Sequence, residues 1–145
     1  MIRYLFALII FGLAACSPTP GSPPTYKERS IQNAVADARA SMRIFFEAWQ
    51  SENPDYSDFR VTVIMPSSAY GRDYEQLSNI RREFAGFIGE TSAGKDVPFL
   101  VADIADWQFQ DGEKIRGAFI RRTQFDMVDA EIPSLRELYH EDPLP

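Results

Sequence analysis

The chain has little with which to hold a metal or make a crosslink. Its 145 residues contain one cysteine, Cys16, and one histidine, His140. Sites built from several of either residue are therefore excluded: Cys/His zinc centres, Cys-x-x-Cys redox pairs and disulfide frameworks. Positive charge is also scarce. Fifteen Lys and Arg stand against 21 Asp and Glu, a formal charge of −6, and the pI is near 4.8. Affinity for a polyanion comes mainly from a basic surface, so nucleic acid is not an expected partner. The apolar run at 4–15 has 12 residues, whereas a helix needs about 20 to cross a bilayer. What the chain does have is core material, 45% hydrophobic residues with 13% aromatic. That is too apolar for a disordered protein, and the length predicts one domain.

The short apolar run follows a single positive residue, Arg3, and ends in Leu13-Ala14-Ala15-Cys16. Its length suits the hydrophobic segment of an export signal. The ending resembles the lipobox of bacterial lipoproteins. That resemblance implies cleavage before Cys16 and a diacylglycerol joined to its thiol, which would tether the chain to a lipid bilayer. The alternative is a plain secretory signal, in which Cys16 stands by chance near an Ala-x-Ala-like cleavage site. Ser17 follows Cys16 where an Asp would favour inner-membrane retention, so the resemblance implies an outer-membrane lipoprotein facing the periplasm in a Gram-negative cell. Removing residues 1–15 takes away one charge, Arg3, and leaves 14 basic against 21 acidic residues, a formal −7. Such a domain is held off an anionic membrane surface rather than drawn onto it.

The expected organisation is a signal at 1–15, the lipidated Cys16 with a spacer to residue 29, and one domain over 30–145. The spacer carries Pro18, Pro20, Pro23 and Pro24. These forbid helix and central strand and favour an extended polyproline II segment.

The fold is expected to be α+β: a long N-terminal amphipathic helix packed on an antiparallel sheet of about five or six strands, with a short C-terminal helix. Ser30 is placed as the cap of the long helix. Its apolar face reads Ile31, Val35, Ala38, Met42, Phe45 and Trp49, with Phe46 beside them, in steps of four and three. Its other face mixes Asp37, Arg39, Arg43 and Glu47, which suits a helix covering a sheet rather than one lying on a membrane. Asn53-Pro54 ends it. From Phe59 the period becomes two, with Phe59, Val61, Val63 and Met65 on one side, closed by Pro66-Ser67-Ser68. Further strands are expected at 73–80, at 82–89 with Phe84, Gly86 and Ile88 on one side, and at 97–101. Thr91-Ser92-Ala93-Gly94 is a turn, and residues 102–105 form a tight turn or one helical turn. Residues 134–140 are expected to make one or two helical turns that dock through Leu135 and Leu138.

The last strand pair permits a register argument. A two-residue loop at Asp111-Gly112 sets Phe109 opposite Lys114 and Trp107 opposite Arg116. A three-residue loop, Asp111-Gly112-Glu113, sets Phe109 opposite Ile115 and Trp107 opposite Gly117. The second keeps one face apolar, with Ile115, Gly117 and Phe119 together, and lays the Trp107 indole over the bare Gly117 backbone.

Residues 31–125 also resemble the bacterial family known as domain of unknown function 2314. The matching features are the Ala-rich N-terminal helix and the Phe59-Arg60-Val61-Thr62-Val63 strand, followed by Phe84-Ala85-Gly86-Phe87-Ile88-Gly89 and Ile104-Ala105-Asp106-Trp107. Gly112-Glu113-Lys114 and Gly117-Ala118-Phe119-Ile120-Arg121 complete them. The chain departs from the pattern at Asp73-Tyr74-Glu75-Gln76-Leu77, where the family tends to show Glu-His-aromatic-Trp. The resemblance implies a fold and brings no activity with it.

Candidate chemistry rests on Asp103 and Asp106, spaced to share one side of a helical turn. Two carboxylates can do acid–base work on a sugar or polymer. The plainer role is structural, with Asp103 capping the turn and Asp106 fixing the start of the Trp107 strand. His140 has no partner residue nearby in sequence, and Ser67-Ser68 lacks the Gly-x-Ser-x-Gly frame. Gly86 and Gly89 are read as sites of close packing or a bulge. Arg81, Arg82, Arg116, Arg121 and Arg122, all placed on strands, are read as a solvated face or a basic patch for an anionic glycan or acidic partner. No residue set calls for a cofactor or a metal. The expected function is that of an envelope lipoprotein whose domain is a non-enzymatic binding or accessory module with a protein or glycan partner. The alternative is a carboxylate-dependent hydrolase acting on envelope polymers.

Overall fold

A computed structural model describes residues 26–66, 72–127 and 137–139. The expected signal at 1–15, Cys16, the prolines that follow it, Ser67, Ser68, Leu135 and His140 lie outside the described residues. In chain order the elements are α1 (Tyr26–Ala40), α2 (Met42–Gln50), β1 (Tyr56–Pro66), β2 (Arg72–Glu83), β3 (Gly86–Glu90) and β4 (Asp96–Phe99). A 3-10 turn (Val101–Asp103), β5 (Ile104–Asp111), β6 (Lys114–Gly117) and α3 (Phe119–Met127) follow. The fold is α+β, with one six-stranded antiparallel sheet in the order β4-β3-β2-β1-β5-β6 and a short last helix.

The expected long helix is two helices. α1 starts four residues before Ser30, which is therefore not a cap; its hydroxyl donates to the Tyr26 carbonyl at 3.0 Å. The helical path then breaks at Ser41 (φ −100°, ψ 6°). In a continuous helix the Ala38 carbonyl accepts the amide of residue 42. Here it accepts the Trp107 indole N–H at 2.8 Å and the Ser41 hydroxyl at 3.1 Å. A side chain from the sheet thus intrudes on the hydrogen-bond ladder, a recognised cause of kinks. The buried face is Ala34, Ala38, Met42, Phe45 and Ala48, while Ile31, Val35 and Trp49 are half-buried at its flanks. Alanines at the contact let the helices approach the sheet closely.

β2 bends in mid-course. Its first half pairs with β1 (Val61 opposite Leu77) and its second half with β3 (Arg82 opposite Phe87), with a bulge between Ser78 and Arg81. Asn79 takes the left-handed conformation there (φ 48°), one asparagine tolerates better than most residues. The bend lets the sheet curl. From Phe99 to Ile104 an extended chain reaches about 17 Å, and a 3-10 turn less. Four flat inter-strand spacings between β4 and β5 would need about 19 Å.

The concave side holds the core. Phe45 on α2 meets Trp107 and Phe59 with ring centroids 5.8 and 5.9 Å away, and Phe46 stacks on Phe87 at 5.4 Å. Phe87 in turn stacks on Phe99 at 5.6 Å. Trp107, Phe45, Phe109, Leu77, Ile104, Val61 and Val63 are fully buried. A Cβ on Gly89 would come within 2.7 Å of Leu77 Cβ, so this glycine does serve close packing.

Four expectations fail in this region. The strand expected at 82–89 is a hairpin, with Phe84 and Ala85 in its turn and Phe84 fully exposed. Phe119 lies not on a strand but in the first turn of α3, which also carries Arg121 and Arg122. The β5–β6 register is Gln108 opposite Gly117, Phe109 opposite Arg116 and Gln110 opposite Ile115. The loop is thus Gly112-Glu113, an even-length loop one residue beyond the one considered, and the three-residue loop is wrong. Arg116 can stand opposite Phe109 because its guanidinium pairs with Asp111 at 2.6 Å, which neutralises the charge beside the aromatic. Finally, described residues 137–139 form a turn and a one-residue bridge to β6 rather than a helix; Tyr139 is buried there and Leu138 is half exposed.

Candidate functional site

Two places gather the chemistry-bearing residues: an apolar groove at the β2–β3 hairpin tip, and a buried carboxyl beneath α3.

The groove has a volume of about 460 Å³ and is lined by Phe84, Gly86, Phe87, Pro98, Leu100 and Asp103, among others. Phe84 and Leu100 project from it into solvent. Two features of the chain create it. The hairpin turn falls on Phe84-Ala85, which drives an aromatic outward, and the short 3-10 connection holds Leu100 over Gly86. Glu83 and Asp103 give the rim its negative charge. Arg82 lies over the Phe87 ring, 5.9 Å from its centroid, a cation–π contact worth about 0.5–1 kcal/mol at an exposed site.

Asp103 takes the capping role foreseen for it: Oδ2 accepts the Leu100 amide at 2.8 Å. Asp106 does more than start a strand. Its Oδ1 accepts the amides of Trp107 at 2.8 Å and Phe119 at 3.1 Å, and its Oδ2 accepts that of Ile120 at 2.8 Å. The residue is buried and supplies the N-terminal cap of α3 from a different element, satisfying amides that a helix start otherwise leaves unpaired. Burial pushes the Asp106 carboxyl up to about 6, while the Ile120, Trp107 and Phe119 amides and the Arg122 charge pull it down. The groove is lined by Asp103, and Asp106 is not among its lining residues.

Trp107 and Gly117 do meet, though in another register. A Cβ on Gly117 would lie 2.6 Å from the Trp107 ring, and the glycine holds φ 78°. Ala118 follows at φ 55° and donates its amide to the Trp107 carbonyl at 2.8 Å. The five arginines lie on three elements: on β2 Arg81 pairs with Asp96 at 2.8 Å and Arg82 lies over Phe87, on β6 Arg116 pairs with Asp111, and Arg121 and Arg122 are on α3. Among the described residues no group of three His, Cys, Asp or Glu side chains is placed to hold a metal, and no helix is long and apolar enough to cross a membrane.

Sequence reasoning missed Phe84 and Leu100 as a paired exposed feature, because a run of apolar residues reads as a strand until a turn is known to interrupt it. It also missed the helix that Asp106 caps. The signal was present in Asp106 and in Gly117-Ala118-Phe119, but 13 residues separate the cap from the amides it serves. No family model, curated protein or solved structure matches the chain.

Proposed function

We propose that the chain is a bacterial envelope lipoprotein, anchored in a lipid bilayer through acylated Cys16, whose domain is a non-enzymatic binding or accessory module. The observation that carries the reading is that Leu13-Ala14-Ala15 closes a 12-residue apolar run and is followed directly by Cys16, the one cysteine of the sequence. Acylation contributes about 0.8 kcal/mol per buried methylene, so two or more chains give durable attachment. The proline-rich spacer then holds an acidic domain clear of the membrane, with the hairpin-tip groove and its exposed Phe84 offered to a protein or glycan partner. The geometry of Asp103 and Asp106 supports a binding role, since both carboxylates serve main-chain amides and stand in different surroundings.

Fractionation of wild-type protein and Cys16→Ser tests the anchor. Wild type is expected in the membrane fraction with a mass increase at residue 16. Cys16→Ser is expected to lose both, and membrane association of the variant after its leader is removed contradicts the tether.

A further inference from the structure

We propose that the groove at the β2–β3 hairpin tip takes an apolar side chain from a basic segment of a partner protein, Phe, Leu or Trp flanked by Lys or Arg; this rests on the reading of the domain as a binding module. The walls of the groove are built in advance. Leu100 lies so close over Gly86 that a Cβ there would come within 3.0 Å of its side chain. The turn that carries Leu100 is closed by the Asp103 carboxylate on the Leu100 amide at 2.8 Å and by the Asp103 amide on the Leu100 carbonyl at 3.0 Å. Arg39, in the last turn of α1, ties the same turn down through the carbonyls of Ala102 and Ile104, each at 3.0 Å. A surface held in shape in this way loses little freedom on binding. Phe84 and Leu100 are nevertheless exposed to water. The volume of about 460 Å³ is within the range of ligand pockets, about 300–1,000 Å³.

The polar groups at the groove choose the sign of the occupant. Among the described residues, no side chain that lines it donates a hydrogen bond; its polar side chains are the carboxylates of Glu83 and Asp103, which accept only when ionised. Neither of them meets a cation among the described residues, whereas Asp96 on neighbouring β4 is neutralised by Arg81 at 2.8 Å. Arg82 lies over Phe87, on the face of the hairpin opposite Glu83. Lys and Arg carry donors alone, so they match such a rim, and their bonds to carboxylates are charge-assisted. The hydroxyls of a neutral glycan both donate and accept, and the lining side chains leave the accepting half unanswered. An anionic glycan is repelled.

Position and charge set two other occupants aside. α1 has 15 residues from Tyr26, a length of about 22 Å, and it is the far end of this helix, at Arg39, that meets the turn beside the groove. The groove thus lies at the end of the domain remote from Tyr26 and from the anchor proposed at Cys16, turned from the bilayer that the anchor would enter. A second copy of this chain, with its formal charge of −6, would bring its own Glu83 and Asp103 to the same rim in a two-fold contact.

Selection of a random short-peptide library, displayed on phage, against the immobilised full chain tests the groove. Enriched peptides are expected to join Phe, Leu or Trp to Lys or Arg and to bind less tightly as salt rises. Phe84→Ser is expected to weaken their binding at least about ten-fold, and Glu83→Lys about five-fold. No enrichment, or enrichment of acidic or uncharged peptides, overturns the proposal. Basic-peptide binding that either variant leaves intact also overturns it, while leaving the domain a binding module. An N-acetylglucosamine oligomer or a phosphatidylglycerol vesicle that binds the Cys16→Ser chain and is lost when Phe84→Ser is added assigns the groove to a glycan or a lipid. A dimer in sedimentation that Phe84→Ser dissolves assigns it to a second copy, and each of these results is contrary to the proposal.

Discussion

Gly117 shows how much one missing side chain can control. It holds φ 78°, and a Cβ there would collide with the Trp107 carbonyl and ring, while Gly112 in the neighbouring loop holds φ 60° with open space around it. Comparing the two separates strain from collision. Gly112→Ala is expected to cost about 1 kcal/mol, the price of a left-handed alanine. Gly117→Ala adds the clash with a fully buried tryptophan and is expected to cost about 3 kcal/mol or more. Urea unfolding of the two variants checks the order, and equal losses would show that Trp107 yields to the added methyl. The contact was legible from the sequence through the aromatic and glycine on neighbouring strands. The register was not, because it turned on the ion pair between Arg116 and Asp111, which lets a charged residue sit opposite Phe109.

At the scale of elements, the break between α1 and α2 is caused from outside the helices. Their sequence, Ala40-Ser41-Met42, contains neither glycine nor proline, so local propensity does not announce an interruption. The Trp107 indole causes it by taking the Ala38 carbonyl. Trp107→Phe removes that N–H and part of a buried ring, and is expected to destabilise the domain by about 2–4 kcal/mol in urea unfolding. Ser41→Ala removes the second donor to the same carbonyl and is expected to cost less than about 1 kcal/mol, because the indole bond remains. A larger loss for Ser41→Ala would assign the break to the serine instead.

For the whole molecule, the sheet manages its two edges differently. Pro98 stands on the β4 edge, where it removes a donor, and Tyr139 bridges to Ile115 beside β6. Edge strands treated in these ways resist pairing with other chains. Among the described residues Phe84, Leu100 and Val101 are exposed apolar side chains at or near the hairpin tip, with Tyr26, Tyr74 and Leu138 exposed elsewhere. Because Phe84 is fully exposed, Phe84→Ser is expected to change stability by no more than about 0.5 kcal/mol. If the groove is the contact surface, the same variant lowers the yield of partner crosslinked from membranes several-fold. Undiminished crosslinking with unchanged stability would place the contact elsewhere.

Periodicity and composition made legible the helical character of 31–50, the extended character of 59–65 and 107–109 and much of the aromatic core, because those properties depend on residues a few positions apart. The alternation from Phe59 to Met65, the turn at Thr91-Gly94 and the aromatic supply of the core all follow from such local patterns. Tertiary structure alone decided the β5–β6 register, the interruption at Ser41, the exposure of Phe84 and the capping of α3 by Asp106. Each of these depends on a donor, an acceptor or a neighbouring backbone brought close by the curl of the sheet, and no local pattern along the chain records that proximity.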